Sequence, residues 1–160
     1  MEQRLLAIYL NDHLAGATLG VELARRAARE NAGSDLGAFL RDELLPELAE
    51  DRETLQRLMR ELAVARSRPK VGAAWLLEKA GRLKPNGELR RYSPLSRLLE
   101  LEGLAAGLEA KRALWIALQA TADVGRAAPA LDFDALAQRA ASQRTRLEEH
   151  RLLAAKRALA

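Results

Sequence analysis

Apolar and small side chains recur at alternating steps of three and four along four long stretches of this chain, the spacing that brings them to one face of a helix. Over about residues 2–30 the stripe is Leu6, Tyr9, Gly16, Gly20, Leu23 and Ala27, with His13 in the one position left over. Gly33 is a stop signal and Ser34 or Asp35 a cap, so a second helix at about 35–64 follows after a tight antiparallel connection. Its stripe reads Leu44, Leu48, Leu55, Leu58 and Leu62, and Asp51 fills the missing place. Pro46 lacks a backbone donor and crowds the carbonyl of Asp42, which predicts a kink.

The pattern weakens between about 65 and 94. "SRPKVGAAWLLEKAG" predicts a short helix at about 69–80, and "KPNG" a turn. The segment is long for a hairpin loop, since bundle connections take about 2–8 residues, and a crossover along the helices is expected. Ser93-Pro94 then caps a third helix at about 94–122. Leu101, Leu104, Leu108 and Trp115 form its main stripe, while Leu99, Gly103, Gly107, Ala110 and Leu114 form a second apolar face suited to an oligomer interface. After a loop, "ATADVGRAAPALD", a fourth helix at about 132–158 carries Phe133, Ala137, Ala140, Arg144, Leu147, Arg151, Ala154 and Ala158 on its seam. The expectation is an all-α single domain, a four-helix bundle with a long crossover segment carrying a short helix between helices 2 and 3.

Polar breaks in apolar seams need partners, because an isolated polar group is costly to bury. A first hairpin turning near residue 32 sets His13 level with Asp51. A second, turning near 126 or 127, sets Glu102 opposite Arg151 and Glu109 opposite Arg144. With the second and third helices parallel, His13, Asp51, Glu109 and Arg144 share one buried polar layer, and the Glu102–Arg151 pair lies in the next.

Composition adds mostly exclusions. The chain of 160 residues has no cysteine, which removes disulfides, thiolate metal sites and a cysteine nucleophile. Its N-terminal stretch suits neither a signal peptide nor a membrane span, so a cytoplasmic protein without membrane attachment is expected. The net charge of +4 arises from 26 basic against 22 acidic residues, a mixed-charge surface that does not favour nucleic acid. A weak anion or nucleic-acid site at Arg82, Lys84, Arg90 and Arg91 in the basic loop is an alternative reading. Ser34, Ser93 and Ser96 read as helix caps, not nucleophiles.

Four long helices, a long connection between the second and third, and inward acids with a histidine resemble the ferritin-like superfamily. That resemblance implies a carboxylate-bridged iron or manganese pair handling oxygen or peroxide, for which His13, Asp51 and Glu109 are the candidate ligands here. The family's Glu-x-x-His pairs are replaced by Glu47-x-x-Glu50 and Glu148-x-x-Arg151, and His150 lies off the fourth seam. Arginine cannot ligate a metal. The leading expectation is therefore a non-enzymatic bundle without a cofactor and with no catalytic residues, acting as a homodimer or with a protein partner, its polar layer in place of a metal site.

Overall fold

The computed structural model describes residues 3–66 and 92–160, and among these the chain is all-helical with no strand. The short helix expected at 69–80 and the basic residues Arg82, Lys84, Arg90 and Arg91 lie outside the described residues. The elements are α1 (Gln3–Glu30), α2 (Asp35–Phe39), a π turn (Leu40–Leu44), α3 (Leu45–Glu61), α4 (Pro94–Gln119), α5 (Ala122–Ala127) and α6 (Phe133–Leu159). No helix among the described residues is long and apolar enough to cross a membrane.

The helix ends follow from local chemistry. Gly33 takes φ +81, a left-handed conformation that a side chain would oppose. Ser34 then caps α2 by accepting from the Gly37 N–H, as Ser93 caps α4 through Ser96 and Asp132 caps α6 through Ala135. α3 stops at Glu61 rather than near residue 64: Ala63 is left-handed at φ 53, and the Val64 N–H reaches back to the Met59 carbonyl at 2.8 Å. Around Pro46 the helix widens into the π turn, with the Leu45 N–H donating to Leu40. Widening relieves the crowding that the proline ring imposes on the preceding turn. The stretch expected as a plain loop after α4 contains α5, whose Val124 is fully buried.

Side-chain pairs set the helix directions. Arg26 meets Glu100, and a methyl group of Leu23 lies beside Gly103, so α1 runs antiparallel to α4. Glu43 and Glu47 meet Arg146 while Glu50 meets Arg139, so α3 runs antiparallel to α6. Glu102 meets Arg151 and Lys111 meets Gln143, so α4 and α6 are antiparallel too. It follows that α3 and α4 are parallel, and that the end of α3 and the start of α4 lie at opposite ends of the molecule.

The core has two apolar halves. One joins Leu10, Leu58, Met59, Trp115, Leu118 and Phe133; the other joins Ala24, Ala27, Leu40, Leu44, Leu104 and Leu147. Each fully buried leucine contributes about 1.5–3 kcal/mol of transfer free energy. On α1 the buried stripe is Leu10, Val21, Ala24 and Ala27, so it is turned away from the expected Tyr9–His13–Gly16 line. α1 carries apolar residues around much of its circumference, and the face that holds Ala24 and Ala27 is the one packed inward. On α6 the step after Ala140 goes to buried Gln143, leaving Arg144 exposed. On α4 the second apolar face is not a free surface: Leu114 is in the core, Leu99 is half-buried, and a Cβ at Gly103 would sit 3.2 Å from Leu23 on α1. Gly107 and Ala110 stay open, and Gly103 is exposed at the edge of its contact with Leu23.

Candidate functional site

A polar layer separates the two apolar halves, and it is assembled from three helices. Asp51 on α3 is 4 % exposed and Gln143 on α6 is 0 % exposed. The Lys111 ammonium, reaching in from α4, donates both to Asp51 Oδ2 and to Gln143 Oε1. Gln143 Nε2 closes the triangle on the same Asp51 oxygen at 3.0 Å, and Arg139 Nε lies 3.3 Å from the other oxygen. Every strong acceptor and donor in the triangle thus has a partner, the condition under which buried charge is tolerated. Burial pushes the Lys111 amine below its ordinary value, and the Asp51 charge opposes that.

The layer continues outward as a ladder between α3 and α6. Arg139 Nη2 meets Glu50 at 2.6 Å; Arg146 meets Glu47 at 2.6 Å and Glu43 at 3.0 Å. Burial works to raise the Glu47 carboxyl, but hydrogen bonds from Arg146 and Gln143 outweigh it and hold the group below the usual range. At one end of the molecule a second buried acid, Glu100, accepts from the Tyr92 hydroxyl at 2.9 Å and faces Arg26 Nε at 3.1 Å. The Asn31 amide donates to that hydroxyl and to the Ala27 carbonyl, both at 2.8 Å. Burial raises Glu100, and raises Tyr92 to about 12.

The predicted layer of His13, Asp51, Glu109 and Arg144 is corrected by this arrangement. His13 is not Asp51's partner: its ring stands edge-on to Tyr9 with centroids 4.6 Å apart, and burial lowers its pKa while Asp12 opposes the shift. The reason is register. The Asn11 amide donates to the Ala65 carbonyl, and residues 11 and 65 have their midpoint at 38, not 32. The turn at Gly33, the packed α2 and the π turn consume chain before α3 is under way. Glu109 is half-exposed and held by Arg112, three residues along its own helix, at 2.7 Å; the Arg144 charge also lowers it but forms no ion pair. Glu102 does meet Arg151, at 3.6 Å, but near the surface, and Arg151 is gripped more closely by Glu148 at 2.6 Å. Only Asp51 of the six is buried.

Lys111 and Gln143 went unassigned in the sequence, although the signal was present in an identical form three times. Leu48-x-x-Asp51-x-x-x-Leu55, Leu108-x-x-Lys111-x-x-x-Trp115 and Ala140-x-x-Gln143-x-x-x-Leu147 each place one polar residue inside a three-four apolar repeat. The three breaks meet.

The iron or manganese donor set does not fit. Asp51 has both oxygens engaged by cationic or amide donors, Glu109 and His13 point elsewhere, and among the described residues no three of His, Asp or Glu converge. A fixed ammonium beside Asp51 would repel a divalent cation. No family model, curated protein or solved structure matches this chain, so its functional reading rests on these residues alone.

Proposed function

We propose that the chain is a non-enzymatic four-helix bundle, connected as in the ferritin-like superfamily, that acts through self-association. The parallel course of α3 and α4 supports the connection. The observation that carries the non-enzymatic reading is that the interior cation of the polar layer is the protein's own Lys111, bonded to Asp51 and Gln143. The layer fixes which helices meet and in what register, a role for which buried polar groups are well suited.

The associating surface is the outer face of α1. Leu5, Ile8 and Tyr9 are 58 %, 51 % and 36 % exposed and lie with exposed Arg4 and Asp12 within about 140° of helix arc. Ile8 is midway between Arg4 and Asp12. Two copies related by a two-fold axis through Ile8 would cover the apolar patch and set Arg4 of one copy against Asp12 of the other, twice over. Sedimentation velocity at tens of micromolar tests this: Arg4→Glu dissociates the dimer and Arg4→Glu with Asp12→Arg restores it. A strict monomer in the unaltered protein removes the reading. The carboxylate metal alternative is tested by iron- or manganese-supplemented expression and elemental analysis; stoichiometric metal lost on Asp51→Asn would replace this proposal with that one. A cytoplasmic location accompanies the proposal as an expectation.

A further inference from the structure

At the end of the molecule where α2 begins, α4 begins and α6 ends, a cavity of about 280 Å³ opens to the surface. That is close to the lower bound of the roughly 300–1,000 Å³ typical of small-molecule pockets. Its basic wall groups are Arg97, His150 and Arg157, and Asp35 is the one carboxylate on the wall. The two guanidiniums set two positive charges on the wall against the one carboxylate.

The two guanidiniums on this wall belong to the roughly one-half of the described cations that have no carboxylate partner among the described residues. Arg25, Arg26, Arg112, Arg126, Arg139, Arg146 and Arg151 all face carboxylates within 4.0 Å, whereas neither Arg97 nor Arg157 forms an ion pair with any described residue. Arg97 is also held in place: its guanidinium carbon lies 5.9 Å from the Tyr92 ring centroid, and its Nε is shielded from solvent with no acceptor. The His150 ring is stacked on Phe39, centroids 4.6 Å apart and planes 22° apart. Asn31 and Ser34 on the wall are already committed. The Asn31 amide serves Ala27 and Tyr92, and the Ser34 hydroxyl donates to Asn31 and accepts from Gly37. A held guanidinium and a second, exposed one around a small cavity, together outnumbering the single Asp35 carboxylate and in no ion pair with it, match a compact oxyanion, whose geometry suits guanidinium forks. Leu36 and Leu153 complete the wall with apolar surface.

We propose that this cavity binds a phosphate monoester, the phosphate meeting Arg97 and Arg157 and the organic group lying against Leu36 and Leu153. This site is independent of the α1 surface and does not require the chain to dimerise.

Isothermal titration of the full chain with phenyl phosphate and with inorganic phosphate tests it. Phenyl phosphate is expected to bind at one site per chain, about tenfold tighter than inorganic phosphate because the ring gains apolar contact. Arg97→Gln and Arg157→Gln should each weaken it at least about tenfold, while Arg57→Gln, away from the cavity, leaves it unchanged. Arg157 is exposed, so its variant carries the test if the Arg97 variant fails to fold by circular dichroism. No saturable binding at about 20 mM, unchanged affinity in Arg157→Gln, or equal weakening in Arg57→Gln overturns the site. Equal affinity for the two probes overturns the monoester and leaves the free ion as ligand.

Discussion

Replacing Lys111 by Met keeps the aliphatic stem and removes the ammonium from the centre of the polar layer. Asp51 is then left at 4 % exposure with Gln143 at 3.0 Å and with Arg139 at 3.3 Å, a guanidinium that is itself one-third exposed and shared with Glu50. Gln143 Oε1 loses its donor in a fully buried site. Breaking a buried pair from one side costs about 3–5 kcal/mol, and the surviving Arg139 contact places this case near 3 kcal/mol. With a urea slope of about 2 kcal/mol/M, the midpoint should fall by about 1.5 M at unchanged slope. The triple change Asp51→Leu, Lys111→Met and Gln143→Leu continues the apolar seam through all three helices and should return to within about 1 kcal/mol of the parent. Asp51→Leu should couple strongly with Lys111→Met and not with His13→Leu. A loss below about 1 kcal/mol for Lys111→Met, or strict additivity among the three positions, would refute the closed triangle.

Gly37→Ala should cost about 3 kcal/mol, since the new Cβ would lie 2.1 Å from the Asn31 carbonyl oxygen and only backbone movement relieves it; thermal or urea unfolding reads the loss. Ala63→Gly should stabilise by roughly 0.5–1 kcal/mol by the same measurement, because its φ of 53 suits glycine. Leu147→Ala, at a fully buried position, should cost about 2–5 kcal/mol, while Leu152→Ala, five residues on and 48 % exposed, should stay within about 0.5 kcal/mol. Burial raises Glu100, so its stabilising contribution is complete below the ordinary carboxylate value and lost as pH climbs through the raised one. Glu100→Gln should therefore compare better with the parent at neutral pH than in acid, and the opposite trend in urea midpoints would show that Arg26 dominates. His13 behaves in the other sense: lowered beneath 6.5, it withdraws stability as pH falls through 6.5, and His13→Leu should flatten that slope.

The helical class, the four long runs and most of their caps were legible because periodicity and capping are local. Ser34, Ser93 and Gly33 act where their chemistry says they should. The antiparallel register of α4 and α6 was legible too: Glu102 meets Arg151 as the symmetric hairpin requires. The first hairpin was not, because a π turn and the buried α2 change how many residues each turn uses, and neither leaves a periodic trace. Face selection on α1 failed for a different reason. With Leu5, Leu6, Ile8, Leu10 and Leu14 all available, composition permits several inward faces, and only the neighbours choose among them. Lys111 was missed because a long amine at a seam position reads as a surface residue until an acid is found across from it.

The widened turn at Leu40–Leu44 has a consequence for how this chain tolerates change in length. A π turn holds one residue more than the α-helical path through the same space, so the second arm carries a built-in surplus between Phe39, which packs with Ala27, and Asp51, which packs with Lys111. Deleting the exposed Asp42 would leave an uninterrupted α-helical path through the same space with both anchors in phase, whereas regularising the turn with all its residues kept would swing them about 100° apart in azimuth and force one or the other from its neighbours. The widening is thus a phase correction that absorbs the surplus residue, and both halves of the interior depend on it.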